Sequence, residues 1–144
     1  MPLIEFSTPT ELPTPNGYSH VANIQPGHRL VWTSGQVALA ADGTVIGPGD
    51  WEVQTRAVMR NLDVALDIAG ANWSDVFKLT IYVIDTKSVP TVRAVRDEFI
   101  DLDRPPTSSL VKVAGLFRPD LLIEIEAVAA VPGADADRQP ASRP

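Results

Sequence analysis

Residues 121–131 read LLIEIEAVAAV, an alternation that leaves few ways to fold. In an extended chain Ile123, Ile125, Ala127 and Ala129 point to one side, while Glu124 and Glu126 point to the other, ahead of Val128 and Ala130. A strand this apolar belongs inside a sheet, with one face on a core. The strand alone leaves two uses open for its carboxylates. They face water, as charged groups without partners generally do, or they line a cleft in which a carboxylate serves as general base or orients a water molecule.

Around this strand the periodicity changes. Val58, Leu62, Ala65, Leu66 and Ala69 recur at helical spacing, with Asp50 as the expected N-cap after Gly47-Pro48-Gly49 and Gly70 as the stop. A second helix is expected from Ser88, with Pro90 in its first turn and Val92, Val95, Phe99 and Leu102 as its buried stripe. Arg104-Pro105-Pro106 would end it, because proline disfavours helix in the residue before it. Strands are expected over 18–24, 29–39, 44–46, 76–84, 109–114 and 121–131. Residues 1–17 carry Pro2, Pro9, Pro13 and Pro15, which predicts an extended lead-in with at most one short strand. Beyond residue 131 the composition turns to Gly, Ala, Asp, Arg and Pro, so 132–144 reads as a disordered tail after a single domain over 1–131.

The order of elements predicts an α+β fold, a mixed β-sheet with two helices packed on one face. Several strands keep apolar side chains on both faces, which favours burial of the far face by another subunit. With 144 residues, 44% of them hydrophobic and 21% charged, the chain can bury one ordinary core. Its net charge of −6 argues against a nucleic-acid partner. There is no cysteine, so disulfides, thiolate ligands and a cysteine nucleophile are excluded. His20 and His28, the only histidines, lack metal-site spacing, and no metal is expected. No apolar run reaches the ~20 residues that span a bilayer. The N-terminus also lacks a basic-then-apolar signal, so the expected compartment is the cytoplasm.

Five blocks, in order, carry a resemblance. They are Gly17-Tyr18-Ser19-His20, Trp32-Thr33-Ser34-Gly35-Gln36-Val37, Gln54 through Ala69 with Arg60-Asn61-Leu62, Val76-Phe77-Lys78-Leu79-Thr80-Ile81-Tyr82-Val83, and the closing Pro-Pro-Thr-Ser and Ile-Glu-Ile-Glu-Ala-Val-Ala pair. Together they resemble the RidA/YjgF family of small enamine/imine deaminases over most of the chain. The resemblance implies a chorismate-mutase-like protomer and a homotrimer whose sheets form a central barrel, with a pocket at each subunit interface. It implies no cofactor, a small-molecule substrate, and the release of ammonia from a reactive imine or enamine by attack of water on the C=N carbon. Matched residue by residue, Glu124 falls on the family's water-orienting carboxylate and Tyr18 on a pocket phenol contributed across the interface. Ser34 and Gly35 fall where hydroxyl and backbone groups line the pocket. Without the resemblance, the plainer readings prevail: Tyr18 as an interface aromatic, Ser34 as a turn hydroxyl and Gly35 as a bulge residue.

The chain departs from that pattern at one informative place. The best-characterised branch of the family carries an arginine that grips the substrate carboxylate, and Ser108 stands at the matching position here. Arg93, in the second helix, and Arg118, in the turn before the Glu124 strand, are the candidate replacement cations; a neutral or hydroxyl-bearing ligand for Thr107 and Ser108 is the alternative. Two functions follow. One is hydrolytic deamination of an enamine or imine other than a simple 2-imino acid, with Glu124 orienting water. The other is non-catalytic binding of a small metabolite by the same trimer. An endoribonuclease role, also attached to parts of the family, is disfavoured by the acidic charge.

Overall fold

The computed structural model describes residues 2–133. Its elements are β1 (Ile4–Ser7), β2 (Val21–Ile24), β3 (His28–Trp32), α1 (Trp51–Ile68), β4 (Val76–Val83), α2 (Val89–Arg96), β5 (Thr107–Lys112) and β6 (Ile123–Pro132). β1 and β2 form a separate antiparallel ribbon, while the main sheet runs β3-β6-β4-β5. β6 is antiparallel to both of its neighbours, and β4 and β5 are parallel, so the sheet is mixed. This is the expected α+β arrangement. No helix among the described residues is long and apolar enough to cross a membrane.

α1 starts where the Asp50 carboxylate accepts a hydrogen bond from the Val53 N–H at 3.0 Å. It stops at Gly70, whose φ of +72° suits glycine better than any residue with a Cβ. Between these ends it buries Val58, Met59, Leu62 and Leu66 against the sheet. The sheet's matching face is Leu79, Ile81 and Val83 of β4 with Ile123, Ile125, Ala127 and Ala129 of β6, all buried. Val92 and Val95 of α2 close the same core. A polar clamp sits inside it: the fully buried Gln54 donates to the Asp120 carbonyl at 2.9 Å and accepts from the Leu122 N–H at 2.9 Å. Both ends of that amide are satisfied, so α1 grips the chain just before β6 without an orphaned polar group.

Several expected boundaries move, some of the strand ends by two or three residues, and 44–46 makes only an isolated bridge. The second helix ends at Arg96 rather than at Arg104, because Glu98 and Phe99 donate to carbonyls three residues back and tighten the chain into turns. Leu102 is therefore exposed, while Phe99 packs edge-on against Trp73. Ser88 does not cap α2 with its side chain; its hydroxyl donates to the Asp85 carbonyl. Lastly, β3 ends at Trp32, and only isolated bridges continue it, at Gln36 and Leu39. Most of the expected tail lies outside the described residues, and Pro132 belongs to β6.

Strand pairing assigns the other sheet face. It carries Leu30 and Trp32 of β3, Tyr82 of β4, Val111 of β5, and Glu124, Glu126 and Val128 of β6. In the single chain this face is open: Trp32 is 67% exposed, and Leu30 and Val111 are each 43% exposed. Replacing the fully buried Leu62 with alanine should destabilise the fold by about 2–5 kcal/mol, read from urea unfolding at fixed protein concentration.

Candidate functional site

The carboxylates of β6 sit beside an irregularity in their neighbour. Trp32 pairs with Val128, and the next bridge joins Gln36 to Ile125, so four steps along one strand match three along the other. The extra residue makes a bulge over 33–35, which Thr33 pins on both sides of the Ala127 peptide: its N–H donates to the Ala127 carbonyl and its hydroxyl accepts from the Ala127 N–H, both at 3.0 Å. The bulge brings the Gly35 backbone down onto Glu124. A Cβ at position 35 would lie 2.1 Å from Glu124 Oε1, so only glycine allows this approach.

Glu124 and Glu126 line a cleft of about 320 Å3 with Tyr82, Val113, Leu116 and Phe117. The two carboxylates are not equivalent. Glu126 accepts a hydrogen bond from the Tyr82 hydroxyl at 2.7 Å. That bond, with partial burial and the two nearby carboxylates, holds the Tyr82 phenol above its ordinary pKa. Glu124 has no hydrogen-bond partner among the described residues, which leaves its oxygens available to a ligand or a water.

A second polar pocket, about 240 Å3, lies at the α2–β5 end and is lined by Asn16, Tyr18, Arg93, Arg96, Ser108 and Leu110. The chain before β2 is laid along β5 by Ser19, whose N–H donates to the Pro106 carbonyl at 3.1 Å and whose hydroxyl donates to the Pro105 carbonyl at 2.6 Å. Tyr18 thereby lines the same pocket as Ser108. Arg93 and Arg96, three residues apart on α2, supply the charge. Arg96 is only 3% exposed; its guanidinium donates to Asp97 at 2.7 and 2.9 Å and to the Asn16 carbonyl at 3.3 Å. Gly17, at a φ of +71°, passes so close that a Cβ would lie 2.2 Å from Arg96 Nη2. Arg93 makes no ion pair among the described residues, so its charge is free for a ligand.

The structure thus brings Tyr18, Arg93 and Ser108 together, and separately brings the Ser34–Gly35 bulge to Glu124. It leaves Arg118 in neither group. Arg118 donates to the Asp120 carboxylate at 3.2 and 3.0 Å and to the Gly43 carbonyl at 3.1 Å, tying the 42–44 turn to the approach of β6. Sequence reasoning missed Arg96, Asn16 and Tyr82 as site-lining groups, and left Glu126 open between water and a cleft. The i,i+3 spacing of Arg93 and Arg96 was the available signal for one of them; the Tyr82–Glu126 bond depends on strand register. The two groups also lie on opposite faces of the sheet. Ser108 pairs with the buried Leu79 and so faces the helices, whereas Glu124 pairs with Tyr82 on the open face.

A family profile described as Endoribonuclease L-PSP matches residues 8–131. A RutC family protein of Synechocystis sp. is 36% identical over 104 residues, 72% of this chain and 79% of the relative. Escherichia coli TdcF, whose name assigns it provisionally as a reactive intermediate deaminase, is 33% identical over 69% of this chain and 78% of its own. Its crystal structure with bound serine aligns with a TM-score of 0.65 at 29% identity, over 91% of this chain and 99% of that one. YyfB of Yersinia pestis, described as a protein of unknown function in the conserved Rid family, aligns with a TM-score of 0.81 at 32% identity, over 90% of this chain and 99% of that one.

Replacing Glu126 with alanine removes the largest cause of the raised Tyr82 pKa. Phenolate absorbance, taken as the difference from a Tyr82→Phe titration, should then show Tyr82 ionising closer to its ordinary value.

Proposed function

We infer the function of this chain from the family to which it belongs, the endoribonuclease L-PSP family that includes the Rid proteins, and we propose that it hydrolyses a reactive enamine or imine with release of ammonia. The observation that carries this reading is the unpartnered Glu124 carboxylate held against the Gly35 backbone. A water bound to that carboxylate would be presented as a nucleophile. As its oxygen bonds to the C=N carbon, Glu124 takes up the water's proton and returns a proton to the nitrogen. The carbinolamine then collapses as its hydroxyl proton passes by way of Glu124 to the amino nitrogen: the C–N bond breaks, ammonia leaves and a carbonyl remains. No redox equivalent is needed.

The two groups of residues are read as halves of one site contributed by different protomers. Their positions on opposite faces of one sheet support this, since a small ligand in a single chain cannot touch both. Exposed Trp32, Leu30 and Val111 on the open face supply apolar surface for the contact. A homotrimer with three such sites is the proposed assembly. At the α2–β5 end Arg93 would hold an anionic group of the substrate, with Ser108 and Tyr18 as hydroxyl contacts, while Arg118 is spent on Asp120. This differs from a grip by residue 108, so the substrate is read as something other than a simple 2-imino acid. The net charge of −6 opposes the phosphate-neutralising surface that RNA cleavage would require.

A second reading, binding of a small metabolite without turnover, is favoured by the serine complex of TdcF. One panel separates the two: ammonia release from carboxylate-bearing, neutral and larger imines. Glu124→Gln should lower kcat by about 10²–10⁴-fold, and no acceleration by the wild type together with saturable ligand binding would favour the binder. Arg93→Ala should raise KM roughly tenfold for anionic imines and leave neutral ones unchanged. Light scattering should give three chains per particle, and a monomer at micromolar concentration would overturn the composite site.

A further inference from the structure

β6 places two glutamates on one face, their Cα atoms about 7 Å apart along the strand, and both line the same cleft. If Glu124 orients water, Glu126 is a competitor for the same role within reach of the same solvent. A glutamate has three flexible torsions, so nothing in the strand itself keeps the two apart. Tyr82 does so in the folded chain. Its Cα lies directly opposite that of Glu124 in the antiparallel pair, yet its hydroxyl reaches diagonally to Glu126 Oε1 at 2.7 Å. The aromatic ring therefore spans the interval between the two carboxylates on the β4 side. On the β3 side the Gly35 backbone closes over Glu124.

Resting on the assignment of Glu124 as the water-orienting group, we propose that Tyr82 and Glu126 are a positioning pair: Tyr82 engages Glu126, keeps it out of the reaction, and walls Glu124 into its place over Gly35. Neither residue touches the reacting atoms. The bond is charge-assisted, from a neutral phenol to a carboxylate, and belongs to the stronger class of hydrogen bonds. A phenol is protonated, and hence a donor, throughout the neutral range, and the Glu126 bond shifts the Tyr82 pKa further in that direction. Other groups on this face do not compete for it. Thr80, the direct neighbour of Glu126 in the register, makes no side-chain hydrogen bond to it among the described residues, and Lys78 donates to Ser109 at 2.8 Å.

The test is steady-state hydrolysis by the intact assembly of Tyr82→Phe, Glu126→Ala, Glu126→Gln and the Tyr82→Phe/Glu126→Ala double variant. Tyr82→Phe should lower kcat roughly tenfold with KM within about twofold, at unchanged assembly size and melting temperature. Glu126→Ala should do the same, and the double variant should fall no further than either single one. Glu126→Gln keeps an amide oxygen that accepts from the phenol and should recover most of the rate lost in Glu126→Ala. Wild-type kcat in Tyr82→Phe, or additive losses in the double variant, would overturn the pair. A crystal structure of Tyr82→Phe reads the positioning without any activity. Carboxylates of Glu124 and Glu126 that stay in place there would also overturn it, whereas a wild type that hydrolyses no imine overturns the functional reading instead.

Discussion

The molecule depends on β6 having neighbours on both edges and helices on only one face. Pairing with β3 and β4 satisfies its backbone, and packing of Ile123, Ile125, Ala127 and Ala129 under α1 fixes which way each side chain points. Because side chains alternate along a strand, burying that set forces Glu124 and Glu126 outward as a pair. A one-residue slip would bury both carboxylates, at a cost far larger than any single contact returns. The Gln54 clamp holds the entry of β6 and so protects this register; the buried Thr55 beside it spends its hydroxyl within α1, on the Trp51 carbonyl at 2.6 Å.

From that register the rest of the site follows by proximity. The bulge at 33–35 exists because the chain from Trp32 to Gln36 is one residue longer than the stretch of β6 from Ile125 to Val128 beside it, and it sets Gly35 against the Glu124 side chain. Two glycines serve the same purpose at different places. Gly35 lets a backbone approach a carboxylate, and Gly17 lets a backbone approach a guanidinium. In both cases a Cβ would occupy the space that the charged group takes here, and at Gly17 the φ of +71° favours glycine as well.

Much of the fold was legible in the chain. The N-cap at Asp50, the stop at Gly70, and the alternation of residues 76–83 and 123–131 are local signals, set by periods of 3.6 and 2 that need no tertiary partner to be read. The end of α2 was not legible. Phe99 and Leu102 continue a helical spacing, but Phe99 is recruited by Trp73, a residue far away in sequence, and the chain turns early to reach it. The site was readable in its candidates more than in its grouping. Tyr18, Arg93 and Ser108 do meet, whereas Arg118, equally plausible as a free cation from sequence, is neutralised by Asp120 two residues on.

Sequence by itself therefore determined the element types, the two-faced character of the last strand, and the family, because these rest on periodicity and on ordered blocks of residues. Only the tertiary structure decided which charges are free and which are spent. Among the described residues Arg93 is unpaired while Arg118 and Arg96 are engaged, and Glu124 is open while Glu126 is held by Tyr82. The physical reason is that a hydrogen bond depends on separations of a few ångströms. Those separations are set by sheet register and helix packing between residues tens of positions apart, which no local pattern records.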